Sequence, residues 1–349
     1  MVDLPPYPIV RRRKRRYLTL ILLVLLVVGG WIGFWKFAQI RAEEAIEGWK
    51  AREARAGRIY DCGSQTIGGF PFRFELLCDG FKAAIRSADP PAVVTATNIH
   101  VASQVYQPTL LISEITGPLT YAEEGKPPSY VADWKLAQSS VRGTPRDPER
   151  LSIVLDDFHV KRVEPAESVV DAERLEIHGR IVEGSAQSNP VVEVVLRSTK
   201  LATPVLGNMA AKPTNSDIEI TLRGLKDFAP KPWPDRLREL AQSNGKLEVR
   251  RARIEQGETL AVGGGTFTIN ENGKLEGQLN VTVAGAEALI NDVLAANKQK
   301  LGFSISVGLG LLSGNRKLEG RPAISLPMRV RDGNAYLGPV KIAELPALF

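Results

Sequence analysis

AERLEIHGRIV, residues 172–182, decides the fold class. Arg174, Glu176, His178 and Arg180 occupy every second position and form one polar row, with Leu175, Ile177 and Ile181 in between. Period two is the mark of a strand with one wet and one dry face. Similar stretches lie on both sides: TLLISEITGPLTYA (109–122), SYVADWKLAQSSV (129–141), RLSIVLDDFHVKRV (150–163), PVVEVVLRSTKL (190–201) and SDIEITLRGL (216–225). Each is rich in β-branched residues or leucine, and each is cut by Gly, Pro, Asp or Asn. Upstream, Val93, Thr95, Thr97, Ile99 and Val101 alternate with Val94, Ala96, Asn98 and His100. Strands in succession without intervening helices predict a mainly β (α+β) protein. Its centre is a large antiparallel, meander-like curved sheet with a few short helices.

The later chain adds punctuation. Asp235–Ser243 follows Pro234, sets Leu237, Leu240 and Ala241 on one side, and predicts a short helix ending near Gly245. Residues 263–285 predict a hairpin around Asn272-Gly273, the pair that type I′ turns prefer. Gly263-Gly264-Gly265 lacks the Lys-Ser/Thr of a phosphate loop and precedes a strand, so a bulge or the tight start of a strand is expected. Leu289, Ile290, Val293 and Leu294 predict a helix over 286–299, whereas 301–312 reads as strand or helix. The ending, 326–342, predicts two strands around Asp332-Gly333.

The N-terminus is of another kind. Arg11, Arg12, Arg13, Lys14, Arg15 and Arg16 precede Tyr17–Trp35, nineteen residues without a charge. That is close to the ~20 residues a helix needs to cross a hydrocarbon core. Six cations before it, against Lys36 and Arg41 after it, place the N-terminus in the cytoplasm. No A-x-A-like cleavage site follows, so an uncleaved anchor is expected. The resulting plan is a basic tail (1–16), an anchor (17–37), a helical stalk (38–57) rich in Ala, Glu, Arg and Lys and ended by Gly57, and a β-rich domain (58–349). The formal charge of +6 belongs to the tail: without residues 1–16 the chain has 39 basic and 38 acidic residues. Nucleic acid therefore has no electrostatic attraction to this protein.

Residues 67–81, IGGFPFRFELLCDGF, follow the anchor by about thirty positions. Continued period two would put Phe70, Phe72, Phe74, Leu76 and Cys78 on one face, either a core wall or a surface for a greasy ligand. The two cysteines, Cys62 and Cys78, lie sixteen positions apart beyond the anchor, without C-x-x-C spacing or a nearby histidine. A structural disulfide in an oxidising compartment is expected.

CGSQTIGGFPFRFELLCDG (62–80), the glycine-led hairpin and the ending LPMRVRDGNAYLGPVKIAELP (326–346) together resemble the alphaproteobacterial membrane-anchored family catalogued as domain of unknown function 2125. The resemblance covers nearly all of the chain beyond the anchor. It implies a single anchored periplasmic β-rich domain and supplies no catalytic residues. A looser likeness, of architecture only, is to AsmA-like envelope proteins, which are implicated in lipid homeostasis and transport.

Enzyme chemistry finds little purchase. Asp157 and His159 share a strand face and could bind a metal with His178, but no third ligand has recognisable spacing. No G-x-S-x-G elbow occurs. The expectation is therefore a non-enzymatic protein with no cofactor or metal. It would be anchored in the bacterial inner membrane with its domain in the periplasm, and would bind or convey lipid in envelope maintenance through Phe70, Phe72, Phe74 and Leu76. The alternative is an envelope scaffold that binds proteins at sheet edges or at APKPWP (229–234), where Trp233 is expected to be packed as a lid over the sheet.

Overall fold

A computed structural model describes residues 12–144, 147–207, 210–229, 231–285, 316–337 and 340–349. Helix α1 (Arg12–Arg55) is continuous through anchor and stalk. It stops where Gly57 takes a positive φ of 78° and its N–H bonds to Ala54, a backbone position that favours glycine. The expected stalk is thus the second half of the same helix.

Strands β1 (Arg58–Asp61) and β2 (Ser64–Gly68) both flank one edge of β3 (Arg73–Ile85). The other edge of β3 pairs with β4 (Ala92–Gln104). β4 in turn carries β5 (Gln107–Thr116) and β6 (Leu119–Glu123) end to end. These pair with β8 (Leu136–Thr144) and β7 (Tyr130–Asp133) respectively, and both then meet β9 (Asp147–Arg162). From there each strand pairs with the one before it: β10 (Glu167–Ser185), β11 (Ser188–Leu201), β12 (Thr214–Arg223), β13 (Lys246–Gln256), β14 (Thr259–Ile269) and β15 (Leu275–Ala284). β16 (Arg316–Leu318) and β15 both pair with β17 (Arg321–Arg331), and β18 (Asn334–Leu337) and β19 (Val340–Glu344) finish the ladder. All these pairings are antiparallel, so the expected meander is what the chain forms. Among the described residues β1 and β2 do not meet β19, and the sheet stays open.

Local chemistry explains the departures from regularity. β13 bulges between Val249 and Ala252, opposite Gly265 and Gly263. A Cβ on Gly265 would run into the carbonyl of Gln278 on β15, so the glycine run serves close strand approach in mid-sheet. Asp332 and Gly333 have φ of 49° and 77° and form the expected two-residue turn between Arg331 and Asn334. The Asn272-Gly273 turn is different: only Gly273 has positive φ, and the loop spans residues 270–274. Asn270 organises it, its Oδ1 accepting from the N–H groups of Asn272 (3.1 Å) and Lys274 (2.9 Å). The short helix is α2 (Trp233–Gln242), two residues earlier than expected because Pro232 and Pro234 start it. The expectations for 286–299 and 301–312 lie outside the described residues.

Among the described residues the buried core is slight. Leu260, Ala284 and Ala323 cluster with Val262 and Leu318 against them, and the largest fully buried side chains are Leu260, Thr221 and Pro190. Two packed sheets would enclose a layer of large aliphatics between them. This sheet encloses none, and its two faces must be compared directly.

Candidate functional site: an open apolar face

Directly paired residues of neighbouring strands share a sheet face, so register alone traces each face across the sheet. One row runs Phe74, Ser103, Leu111, Val141, Leu151, Gly179, Val194, Ile220, Val249, Gly265, Leu279, Met328. The row beside it runs Leu76, Val101, Ser113, Ser139, Ile153, Ile177, Leu196, Ile218, Ala252, Gly263, Val281. Neither contains a charged residue. Two hydroxyl pairs bond across strands on this face, Ser113 with Ser139 at 2.6 Å and Ser198 with Ser216 at 2.8 Å. Those four hydroxyls are satisfied without water.

This face is only half-covered. Leu111, Leu151, Ile177 and Ile254 lie on it and remain between 38% and 41% exposed. Full burial of such a side chain contributes about 1.5–3 kcal/mol. Leaving four of them two-fifths open forgoes on the order of 3 kcal/mol, which a bound apolar chain would recover.

The opposite face is ionic. Arg174 binds Asp156 (2.6 Å) and Glu176 (2.5 Å), and Arg197 reaches both Glu176 and Asp217. Arg180 and Arg250 grip Glu193 at 2.6 and 2.7 Å, and Arg253 pairs with Glu319 and Glu255. Hydrogen bonds from Arg174 and then His178 hold the Glu176 carboxyl below its ordinary range, and those from Arg180 do the same for Glu193. His178 is absorbed into this face through Glu176 (3.1 Å). His159, paired with Asp171 toward the end of β9 and the start of β10, contacts Asp171 through Nδ1 (2.8 Å) and Asp157 through Nε2 (3.2 Å). Asp157, His159 and His178 do not converge, and among the described residues no group of three or more His, Cys, Asp or Glu is placed to hold a metal.

The apolar face begins at α1. Trp35 is 4% exposed, stacked on Phe74 (5.9 Å between centroids) and edge-on to Phe70 (5.4 Å). Trp31 meets Phe72 at 6.1 Å. The indole N–H groups of Trp31 and Trp35 donate to the carbonyls of Pro71 (3.0 Å) and Arg73 (3.3 Å). Lower on the helix, Lys50 bonds Gln65, Arg58 bonds Glu53, and Trp49 stacks on Tyr60. α1 thereby covers the first edge of the sheet, which would otherwise be open to pairing. The Cys62–Cys78 disulfide forms as expected, with Cα atoms 5.3 Å apart, and ties the lead-in of β2 to β3.

The predicted row of phenylalanines is split by the structure. Phe74 and Leu76 stand on β3, but the strand starts only at Arg73, and Phe70 and Phe72 lie in the β2–β3 turn. Gly69, with φ of 96°, and Pro71 end the alternation, and the Arg73 N–H closes the turn onto the Gly69 carbonyl at 2.9 Å. The Gly-Gly and Pro of the sequence carried that signal. A second correction concerns Trp233, which is 77% exposed at the start of α2 instead of packed as a lid. The helix is latched by other residues. Glu239, nearly buried, accepts from Lys231 Nζ (2.5 Å) and the Lys226 N–H (2.8 Å). Burial opposes its ionisation, but Lys231 and the Lys226 amide keep its carboxyl below the ordinary range. Leu240, Val192, Leu222, Leu225 and Phe228 line a cavity of about 390 Å³ between α2 and the sheet rim.

An open sheet with one apolar and one ionic face, led by a helix long and apolar enough to cross a membrane, is the class of protein these features define. The chain belongs to the family described as an uncharacterized protein conserved in bacteria, domain of unknown function 2125, whose model matches residues 35–346. No curated protein and no solved structure matches it, and the expected likeness to AsmA-like proteins is not shown. Among the described residues one helix, from Arg15 to Arg55, is long and apolar enough to cross a membrane, and its apolar part is mostly bare in the folded chain.

Proposed function

We propose that this chain is a non-enzymatic protein of the bacterial inner membrane, its sheet in the periplasm, that binds lipid acyl chains along the apolar face and conveys them in envelope maintenance. The carrying observation is the run of uncharged rows from Phe74 to Met328 with aliphatics near 40% exposed in its middle. An acyl chain asks for such a surface: continuous, apolar and uncharged. The six cations before the anchor support a cytoplasmic N-terminus, and the disulfide fits an oxidising compartment on the far side. Phe74 and Leu76 remain in the ligand face, whereas Phe70 and Phe72 stand at its membrane end.

Lipid extracted from the purified full chain tests the reading by mass spectrometry. Acyl lipid present in stoichiometric amount, and lost in Ile177→Glu with the fold retained by circular dichroism, supports it. Equal lipid in both proteins contradicts it. Trp233, exposed beside Pro232, favours the second reading of a scaffold that binds a protein partner at α2. Crosslinking from that position distinguishes the two.

A further inference from the structure

We propose that the sheet rim nearest α1 is a second membrane contact. The β2–β3 and β4–β5 turns form an aromatic foot that enters the leaflet from which α1 emerges. The inference rests on α1 spanning the bilayer and not on acyl chains occupying the sheet.

Depth is the first argument. Counting from Tyr17, Trp31 lies about 21 Å and Trp35 about 27 Å along the helix axis, against a hydrocarbon core of about 30 Å. Trp35 therefore stands near the far boundary of the apolar span, where tryptophan anchors helices, and Trp31 lies about one helical turn inside it. Phe72 is in contact with Trp31, and Phe70 with Trp35, so the turn is held at that same depth.

Composition is the second. Phe70 and Phe72 are 51% and 62% exposed. Beside them the β4–β5 turn presents Tyr106 at 75%, and the Val105 N–H donating to the Phe72 carbonyl (3.0 Å) joins the two turns. Neither turn carries a charge between its flanking residues, Arg73 on one side and Gln104 and Gln107 on the other. A water-facing rim has no use for three exposed aromatics, whereas a bilayer interface does.

Backbone satisfaction is the third. Lipid takes a turn at less cost the more of its backbone groups are already paired, and three carbonyls of this turn are. The Gly69 carbonyl is taken by the Arg73 N–H, that of Pro71 by the Trp31 indole, and that of Phe72 by the Val105 N–H. Pro71 has no N–H to satisfy.

The test places p-benzoylphenylalanine at Phe72 or Tyr106 of the full chain, reconstituted in phosphatidylcholine–phosphatidylglycerol vesicles. Leu206 is the control, since it is highly exposed but lies between β11 and β12 at the opposite strand ends. Irradiation is expected to yield lipid adducts at both foot positions several-fold above those at Leu206. Adduct yields equal to the control, or crosslinks to a second copy of the chain instead of lipid, overturn the proposal. The same probe at Ile177 separates it from the acyl-chain reading. Adducts at the foot but not at Ile177 leave the foot standing without the lipid-filled face, and the reverse pattern removes the foot alone.

Discussion

The indole N–H of Trp31 donates to the carbonyl of Pro71 across 3.0 Å, joining the end of the apolar helix span to the first turn of the sheet. One helical turn on, Trp35 fills the space between Phe70 and Phe74. Sheet and anchor are thus one packed unit at this junction, and the orientation of the apolar face is set there. Trp35→Ala removes the most buried aromatic among the described residues and is expected to cost roughly 3 kcal/mol, at the lower end for a tryptophan truncation. Limited proteolysis should then cut between α1 and β3 at lower protease concentration than in the parent protein.

The Cys62–Cys78 disulfide closes a loop sixteen positions long. Its loss is expected to lower stability by about 3 kcal/mol in the chain-entropy account. A double Cys→Ala variant should therefore show a clearly lower thermal midpoint, insensitive to added reductant, whereas the parent's midpoint falls on reduction.

His159 provides a pH dependence with a definite sign. Its hydrogen bond to Asp171 raises the imidazole above the ordinary 6.5, with burial opposing and Asp157 assisting. A group whose folded value is raised stabilises fully below its unfolded value, and that contribution is lost as pH rises through the folded one. The contribution is small because the ring is partly exposed. Stability should decline as pH rises from the ordinary imidazole range through the raised folded value, and His159→Gln should flatten that slope. A rise over the same interval would contradict the pairing.

Glu239 latches α2 from a nearly buried position through Lys231 and the Lys226 amide. Glu239→Ala leaves the Lys226 amide unmet and Lys231 with Asp227 alone, and is expected to cost roughly 2 kcal/mol. Faster amide exchange should be confined to residues 226–245, with the sheet's protection unchanged.

Gly265 has no room for a side chain against the Gln278 carbonyl. Gly265→Ala should destabilise by about 1–3 kcal/mol through strand displacement. Gly125→Ala, at a turn with nothing near its Cβ position but with a φ of 80°, should cost less, and thermal unfolding compares the two.

Much of this architecture could be read along the chain, because hydrophobic alternation and turn residues are local. The polar row Arg174, Glu176, His178 and Arg180, the long apolar helix, the Asp332-Gly333 turn and the cysteine pair all follow from neighbours in sequence. What escaped was relational. Phe74 and Met328 share a row only through the register of many strand pairs, and no local pattern encodes that. Phe70 and Phe72 were assigned to a strand because period two was carried through Gly69 and Pro71, which end it. Trp233 was expected to be covered because large aromatics usually are, but the latch of α2 is Glu239 and not the tryptophan. Asn272-Gly273 suggested a two-residue turn, yet the Asn270 side chain stabilises a longer loop.

The central claim is that the face carrying Ile177 takes acyl chains while the ionic face does not. Titration of delipidated full-length protein with an environment-sensitive fluorescent fatty acid tests it most directly. The account predicts saturable binding that is abolished by Ile177→Glu and retained by Leu77→Glu, whose side chain lies on the ionic face in register with His100 and Glu114. Binding unchanged by Ile177→Glu, or lost equally in both variants while both stay folded, would contradict it.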